Sequence, residues 1–195
     1  MTDNEIIDMY GRMTIALEEI GHCREFAEII PEVRSNLVFA RKNAKTRNDV
    51  LAVDGRITVV GGMPHASGRP VFGASSHMAR LIIEYRKYDS SVRAGIDFAS
   101  SPSFARWLLQ YCEKNGWSFG VIDRRNEPEE IRDAEGASMP WKVAEAVRAA
   151  GRRPPKIFYE TGAIGKEPVS VLVGRDPLEV ATQICAIAKL YHDTK

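Results

Sequence analysis

The sequence predicts an α/β domain with helices on both faces of a central sheet. Two observations carry this. Short apolar runs alternate along the chain with longer amphipathic stretches at helical spacing, the pattern of strands interleaved with helices. Turns rich in glycine, serine and proline separate them, and several place a helix-opening serine or proline where a strand-like run has just ended. A chain of 195 residues, 44% apolar and 27% charged, is long enough to bury one substantial core.

Each element has a local reason. Residues 4–29 carry Ile6, Ile7, Tyr10, Met13, Leu17 and Ile20 at helical spacing, a long amphipathic helix broken near Gly21 and ended by Pro31. We expect it as a segment 1–30 packed on a domain of residues 31–195. Asn36–Ala40 reads as a strand. Thr46-Arg47-Asn48-Asp49 resembles a capping box with Asp in place of Glu and predicts a brief helix through Val53. Asp54-Gly55 turns into a strand over 56–60 that Gly61-Gly62 closes. Residues 61–72 hold glycines and prolines without a period and read as a long loop. Then follow a helix over about 77–87, a strand over 92–98, a helix over 102–115 and a strand over 118–123. A helix from Ser138 to Ala150, strands over 156–159 and 170–173, and a final helix from Asp176 to about Tyr191 complete the chain.

Composition excludes several functions. With 27 Lys+Arg against 26 Asp+Glu, the chain has no field to gather nucleic acid or anionic membrane, and its first helix is acidic. Cys23, Cys112 and Cys185 are odd in number and far apart, so they suggest neither a disulfide framework nor a zinc site. The N-terminus lacks a signal-peptide pattern and no segment reads as a membrane span, which predicts a cytoplasmic protein. Gly165-Lys166 lacks the remaining residues of a phosphate-binding P-loop, so ATP hydrolysis is not supported.

Anion binding is supported. In Gly73-Ala74-Ser75-Ser76-His77-Met78-Ala79-Arg80, Ser75 or Ser76 can cap a helix whose N-terminus attracts negative charge, with His77 at the opening and Arg80 one turn in. Ser100-Ser101-Pro102 with Arg106 repeats the device. Gly162, Gly165 and Lys166 form a glycine loop with a lysine at its tip, a further phosphate contact. Asp97, Asp123 and Glu127 lie near strand ends, where each could hold Mg²⁺, cap a helix or pair with arginine.

Read together, residues 31–40, Gly55-Arg56-Ile57, residues 72–80, Glu135-Gly136-Ala137-Ser138-Met139-Pro140-Trp141 and Gly165-Lys166-Glu167-Pro168 resemble the ThiN type of thiamine-phosphate synthase, from about residue 12 to the end. The resemblance implies a three-layer α/β/α fold with a mixed sheet, similar to class II aldolases, and a homodimer. It also implies condensation of hydroxymethylpyrimidine diphosphate with hydroxyethylthiazole phosphate, yielding thiamine phosphate and pyrophosphate. Arg56 and His77 match the arginine and histidine of the catalytic forms, and Glu160 stands where Asp is more common. The implied partners are small-molecule substrates with Mg²⁺ as the bridging ion. Glu135, Met139 and Glu167 join Asp97, Asp123 and Glu127 as candidate pyrimidine or metal contacts. His77 would hold the leaving diphosphate or donate a proton to it. Another branch of the family binds thiamine phosphate as a sensor, and a non-catalytic binding domain is the alternative function.

Overall fold

The computed structural model describes residues 3–132, 137–163 and 165–194. Helix α1 (Asp3–Gly21) ends at Gly21, and a 3-10 segment (Arg24–Ile29) leads to Pro31. The face that α1 buries is Met9, Met13, Ala16 and Ile20, whereas Ile7 is 69% exposed. Of the apolar residues read from sequence, Ile7 and Tyr10 therefore lie off the stripe. Methionines and an alanine fill the close approach to the last helix.

The chain then runs through β1 (Leu37–Ala40), β2 (Val50–Val53), β3 (Ile57–Val60), β4 (Met63–Ala66), β5 (Pro70–Phe72) and α2 (His77–Tyr85). After these come β6 (Ala94–Ala99), α3 (Pro102–Lys114), β7 (Phe119–Ile122), the short α4 (Glu129–Arg132) and α5 (Ser138–Ala149). Strands β8 (Ile157–Glu160) and β9 (Val169–Gly174) precede α6 (Pro177–His192).

Two local expectations fail for stated reasons. The Asp49 carboxylate does accept the Thr46 N–H at 2.9 Å, but the cap supports only a 3-10 turn over Arg47–Asp49. Val50–Val53 is buried at every position and forms an inner strand, so pairing on both edges outweighs the local helix signal. The expected long loop over 61–72 is two strands. Gly61 and Gly62, both with positive φ, make the two-residue turn of the β3–β4 hairpin, and β5 pairs with β2.

Seven strands form the main sheet in the order β5-β2-β1-β6-β9-β8-β7. Neighbours are antiparallel except β7 and β8, which are parallel. The sheet is therefore mixed, and helices cover both faces. Leu37, Phe39, Leu51, Ile96, Phe98 and Leu172 point to α1, α3 and α6. Val38, Val50, Ala52, Phe158, Val171 and Val173 point to α2 and α5. This is the three-layer α/β/α arrangement expected. Among the described residues, no helix is long and apolar enough to cross a membrane.

Candidate active site

The alternation of strand side chains decides which polar residues meet. Asn36 lies two residues before Val38, Glu160 two after Phe158, and Val169 two before Val171, so all three project to the α2/α5 face at one end of the sheet. Asp97 is the direct partner of Val171 and points the same way. Over this end lie the first turns of α2, at His77, and α5, at Ser138. The cavity between them has a volume of about 360 Å³. It is lined by Glu32, Val33, Asn36, Arg56, Ser75, His77, Met78, Asp97, Arg124, Ser138, Lys142, Glu160, Gly165, Lys166, Glu167 and Val169.

Local bonds set these side chains. Ser75 Oγ accepts the Met78 N–H at 3.3 Å and so fixes the start of α2. Arg56 has φ 69°, in the left-handed region, and its guanidinium donates to the Val33 carbonyl. Val33 N–H donates to Glu167 Oε1 at 3.1 Å, which ties residues 32–33 to the loop before β9. Asn36 bridges to β2 by donating to the Val53 carbonyl at 3.1 Å and accepting the Val53 N–H at 2.9 Å. Its own N–H donates to Asp97 Oδ1 at 2.6 Å. Ala163 and Lys166 exchange backbone bonds at 3.0 and 2.9 Å, with Gly165 at φ 71° in the turn.

The electrostatics divide the cavity. Burial pushes the Asp97 carboxyl up to about 6, with Glu167 adding to the effect and Arg56 opposing it. His77 is exposed at the cavity, yet protein surrounds it densely enough that desolvation, helped by the Lys142 charge, pushes its pKa down to about 4. Because the side chain is exposed, solvent screening reduces this shift and leaves its direction, so the imidazole is mainly neutral at pH 7. It offers an N–H hydrogen bond to an anion. In the free protein it is not the cation or proton donor that sequence reading allowed. Burial would raise Glu160, but Lys142, Arg124 and His77 hold it below the usual carboxylate range. Among the described residues, four cations (Arg56, Arg124, Lys142, Lys166) face four carboxylates (Glu32, Asp97, Glu160, Glu167).

Of the residues singled out from sequence, the fold gathers Arg56, Ser75, His77, Asp97, Gly165, Lys166 and Glu167 in this cavity. Others stand elsewhere. Arg80 lies about 60° round α2 from His77 and faces a separate depression with Lys45, Thr46, Arg47 and Met139. Met139 packs mainly in the core beneath α5. Ser76 precedes α2 without a capping bond. Ser101 caps α3 by accepting the Phe104 N–H at 3.2 Å, and Arg106 is exposed on the same helix. Because α3 packs on the opposite sheet face, Ser100, Ser101 and Arg106 form no second anion pocket with the cavity. Ser100 is buried, with its hydroxyl unpartnered among the described residues. Gly162 serves the turn, since a Cβ there would lie 2.9 Å from the Lys166 carbonyl oxygen. Asp123 caps the turn after β7 and pairs with exposed Arg125 at 2.6 Å. Glu127 is buried behind Arg124, 2.7 Å from it. Glu135 lies outside the described residues.

Sequence reading missed Glu32, Asn36, Arg124, Ser138, Lys142 and Glu160 as site residues. Lys142 had a readable signal: it falls on the buried stripe of α5, among Met139, Val143 and Ala146, where a lysine is rarely placed without a partner. Glu160 was marked only as standing where Asp is more common in the family and Arg124 not at all, because their meeting depends on the pairing of β7 with β8.

The family profile described as thiamine-phosphate synthase ThiN matches residues 12–186. A thiamine-phosphate synthase ThiN from Methanothermobacter thermautotrophicus is 43% identical over 92% of this chain and 92% of its own length. The bifunctional thiamine biosynthesis protein ThiDN from Methanocaldococcus jannaschii is 31% identical over 84% of this chain, which corresponds to 37% of that protein. Among solved structures, the C-terminal domain of a phosphomethylpyrimidine kinase superposes with a TM-score of 0.88 at 34% identity, covering 94% of this chain and 100% of that one. With a profile match over most of its length and a relative this similar, the chain belongs to the ThiN family of thiamine-phosphate synthases.

Proposed function

We propose that this cavity joins hydroxymethylpyrimidine diphosphate to hydroxyethylthiazole phosphate, giving thiamine phosphate and pyrophosphate. The observation that carries the reading is the convergence of Arg56 and His77 on one cavity. They start from a hairpin and a helix twenty-one positions apart, and both match the family's catalytic forms. In the reaction a bond forms from the thiazole ring nitrogen to the pyrimidine methylene, and the bond from that carbon to the diphosphate oxygen breaks. Negative charge grows on the leaving group while positive charge spreads over the aminopyrimidine. Fixed donors that meet the growing charge lower the barrier, by about 3 kcal/mol for one well-placed group. Arg56, Lys166, the His77 N–H and the first turns of α2 and α5 supply them. Asp97, a half-buried carboxylate lining the same cavity, would face the electron-poor pyrimidine.

A charge-balanced cavity also argues for a metal, because two phosphorylated substrates would otherwise overload it with negative charge. Mg²⁺ takes one or two carboxylates and completes its shell with phosphate oxygens and water. Glu32 and Glu167, brought together through Val33, would hold it. When bound, the ion neutralises part of the leaving diphosphate's charge. Three free, buried cysteines fit a reducing compartment such as the cytoplasm. Exposed Val59, Val60 and Val71, on the hairpin and on edge strand β5, offer apolar surface for a homodimer.

The test is to incubate the pure protein with both substrates and Mg²⁺ and to quantify products. Thiamine phosphate and pyrophosphate in equal amounts are expected. Tight binding of thiamine phosphate with no product formed would make the chain a sensor instead.

A further inference from the structure

The ion pairs behind His77 have no role in the reading above. Glu160 Oε1 accepts from both Lys142 Nζ at 2.7 Å and Arg124 Nη1 at 2.5 Å. Arg124 Nη2 also lies 2.7 Å from Glu127 Oε2. The side chains of Arg124, Glu127 and Lys142 are 4%, 1% and 7% exposed, and that of Glu160 is 13% exposed. Burying four charges is a poor way to stabilise a fold, because well-packed apolar groups of the same volume do as well or better. The cluster also has donors to spare. An ammonium carries three N–H groups, and among the described residues Lys142 has one hydrogen bond, to Glu160. Arg124 Nε has no partner among them. Both side chains line the cavity. Lys142 sits one turn into α5, and helical side chains slope toward the N-terminus, so its ammonium lies toward Ser138 at the cavity wall.

Resting on the reading above, we propose that Lys142 binds the leaving diphosphate and that Glu160, held in turn by Arg124 and Glu127, positions it. The spare N–H groups of Lys142 take phosphate oxygens while Glu160 keeps the ammonium in place. Arg124, anchored at both ends, keeps Glu160 from following. The cluster, neutral as a whole, thus presets the Lys142 ammonium at the wall of the cavity that Arg56 and Lys166 also line.

Pyrophosphate is the probe. Its affinity for the full chain in Mg²⁺ is measured by calorimetry, beside kcat and KM for each substrate and a melting curve for every variant. Lys142→Met should weaken pyrophosphate at least tenfold and lower kcat/KM for the pyrimidine diphosphate about a hundredfold, with KM for the thiazole phosphate within twofold. Lys142→Arg should recover most of the pyrophosphate affinity. Glu160→Gln should keep or raise that affinity, having removed a negative charge, while kcat falls at least tenfold, a split that lost stability alone does not produce. If Lys142→Met does not fold, the double variant with Glu160→Gln, which leaves no bare carboxylate, carries the same expected loss. Pyrophosphate affinity unchanged in the folded Lys142 variant overturns the proposal, whatever happens to its melting temperature. A wild-type chain that binds pyrophosphate through Lys142 but forms no product would sink the synthase reading and leave the anion site standing.

Discussion

Arg56 stands in a left-handed backbone conformation at φ 69°, which costs an L-residue about 1–2 kcal/mol. The side chain is kept there at the expense of stability, so glycine should relax the backbone. Arg56→Gly is expected to melt at or above the wild-type temperature, and Arg56→Ala at or below it; a glycine variant that melts several degrees lower would mean that the guanidinium bond to Val33 is mainly structural. His77 and Asp97 predict a second signature. Between about pH 6.5 and 4 the unfolded chain gains a proton on His77 that the native state refuses, so acid removes stability. Between about pH 6 and the ordinary carboxylate value, native Asp97 holds a proton that the unfolded chain has released, so acid adds stability. In wild type the two oppose each other. Relative to wild type, His77→Asn should gain melting temperature as pH falls from 6 to 4, and Asp97→Asn should lose it. Parallel curves for all three proteins would refute both shifts. His77 was legible locally as an anion contact at a helix start, but Arg56 and the meeting of the two were legible only through the resemblance, since nothing local requires a hairpin arginine and a helix-start histidine to meet.

At the scale of elements, β7 and α5 approach closely because Gly120 has no side chain. A Cβ there would lie 2.6 Å from the Ala146 carbonyl oxygen and 3.0 Å from Pro155 Cγ. A backbone oxygen inside a helix has little room to give. Gly120→Ala should therefore cost about 1–3 kcal/mol in denaturant unfolding, and the shift of α5 should carry Ser138 and Lys142 out of place and lower turnover as well. Wild-type stability would show that the layers tolerate the extra methyl. Helix and strand periods made most elements readable, including α2, α3, α5 and α6, whose caps and prolines mark their starts. What escaped was pairing. Val50–Val53 looked like the continuation of a capped turn, and 63–66 and 70–72 looked irregular, because a strand is stabilised by neighbours that are distant in sequence. Gly61-Gly62 between apolar residues was the one local clue to the hairpin.

For the whole molecule, the three-layer order explains why only some anion-binding candidates share a site. The devices at Ser75-His77 and Ser100-Arg106 look alike in sequence, but α2 and α3 cover opposite faces of the sheet, and only the α2/α5 face carries the cavity. Which face a helix takes depends on strand order, and β1, β6 and β9 lie together although their starts fall at residues 37, 94 and 169. The assembly is tested separately: sedimentation at micromolar concentration should report twice the mass of one 21.7 kDa chain, and a single-chain mass would count against the apolar edge as an interface. The central claim is that this cavity stabilises a departing diphosphate and does more than bind its product. The most direct measurement is the loss of turnover in Arg56→Gly set against its loss of affinity for thiamine phosphate, which no longer carries the diphosphate. Turnover should fall about a hundredfold or more, because contacts that strengthen as charge develops act on the transition state, while product affinity should fall by less than tenfold. Equal losses in the two, or turnover left near the wild-type rate, would contradict the account.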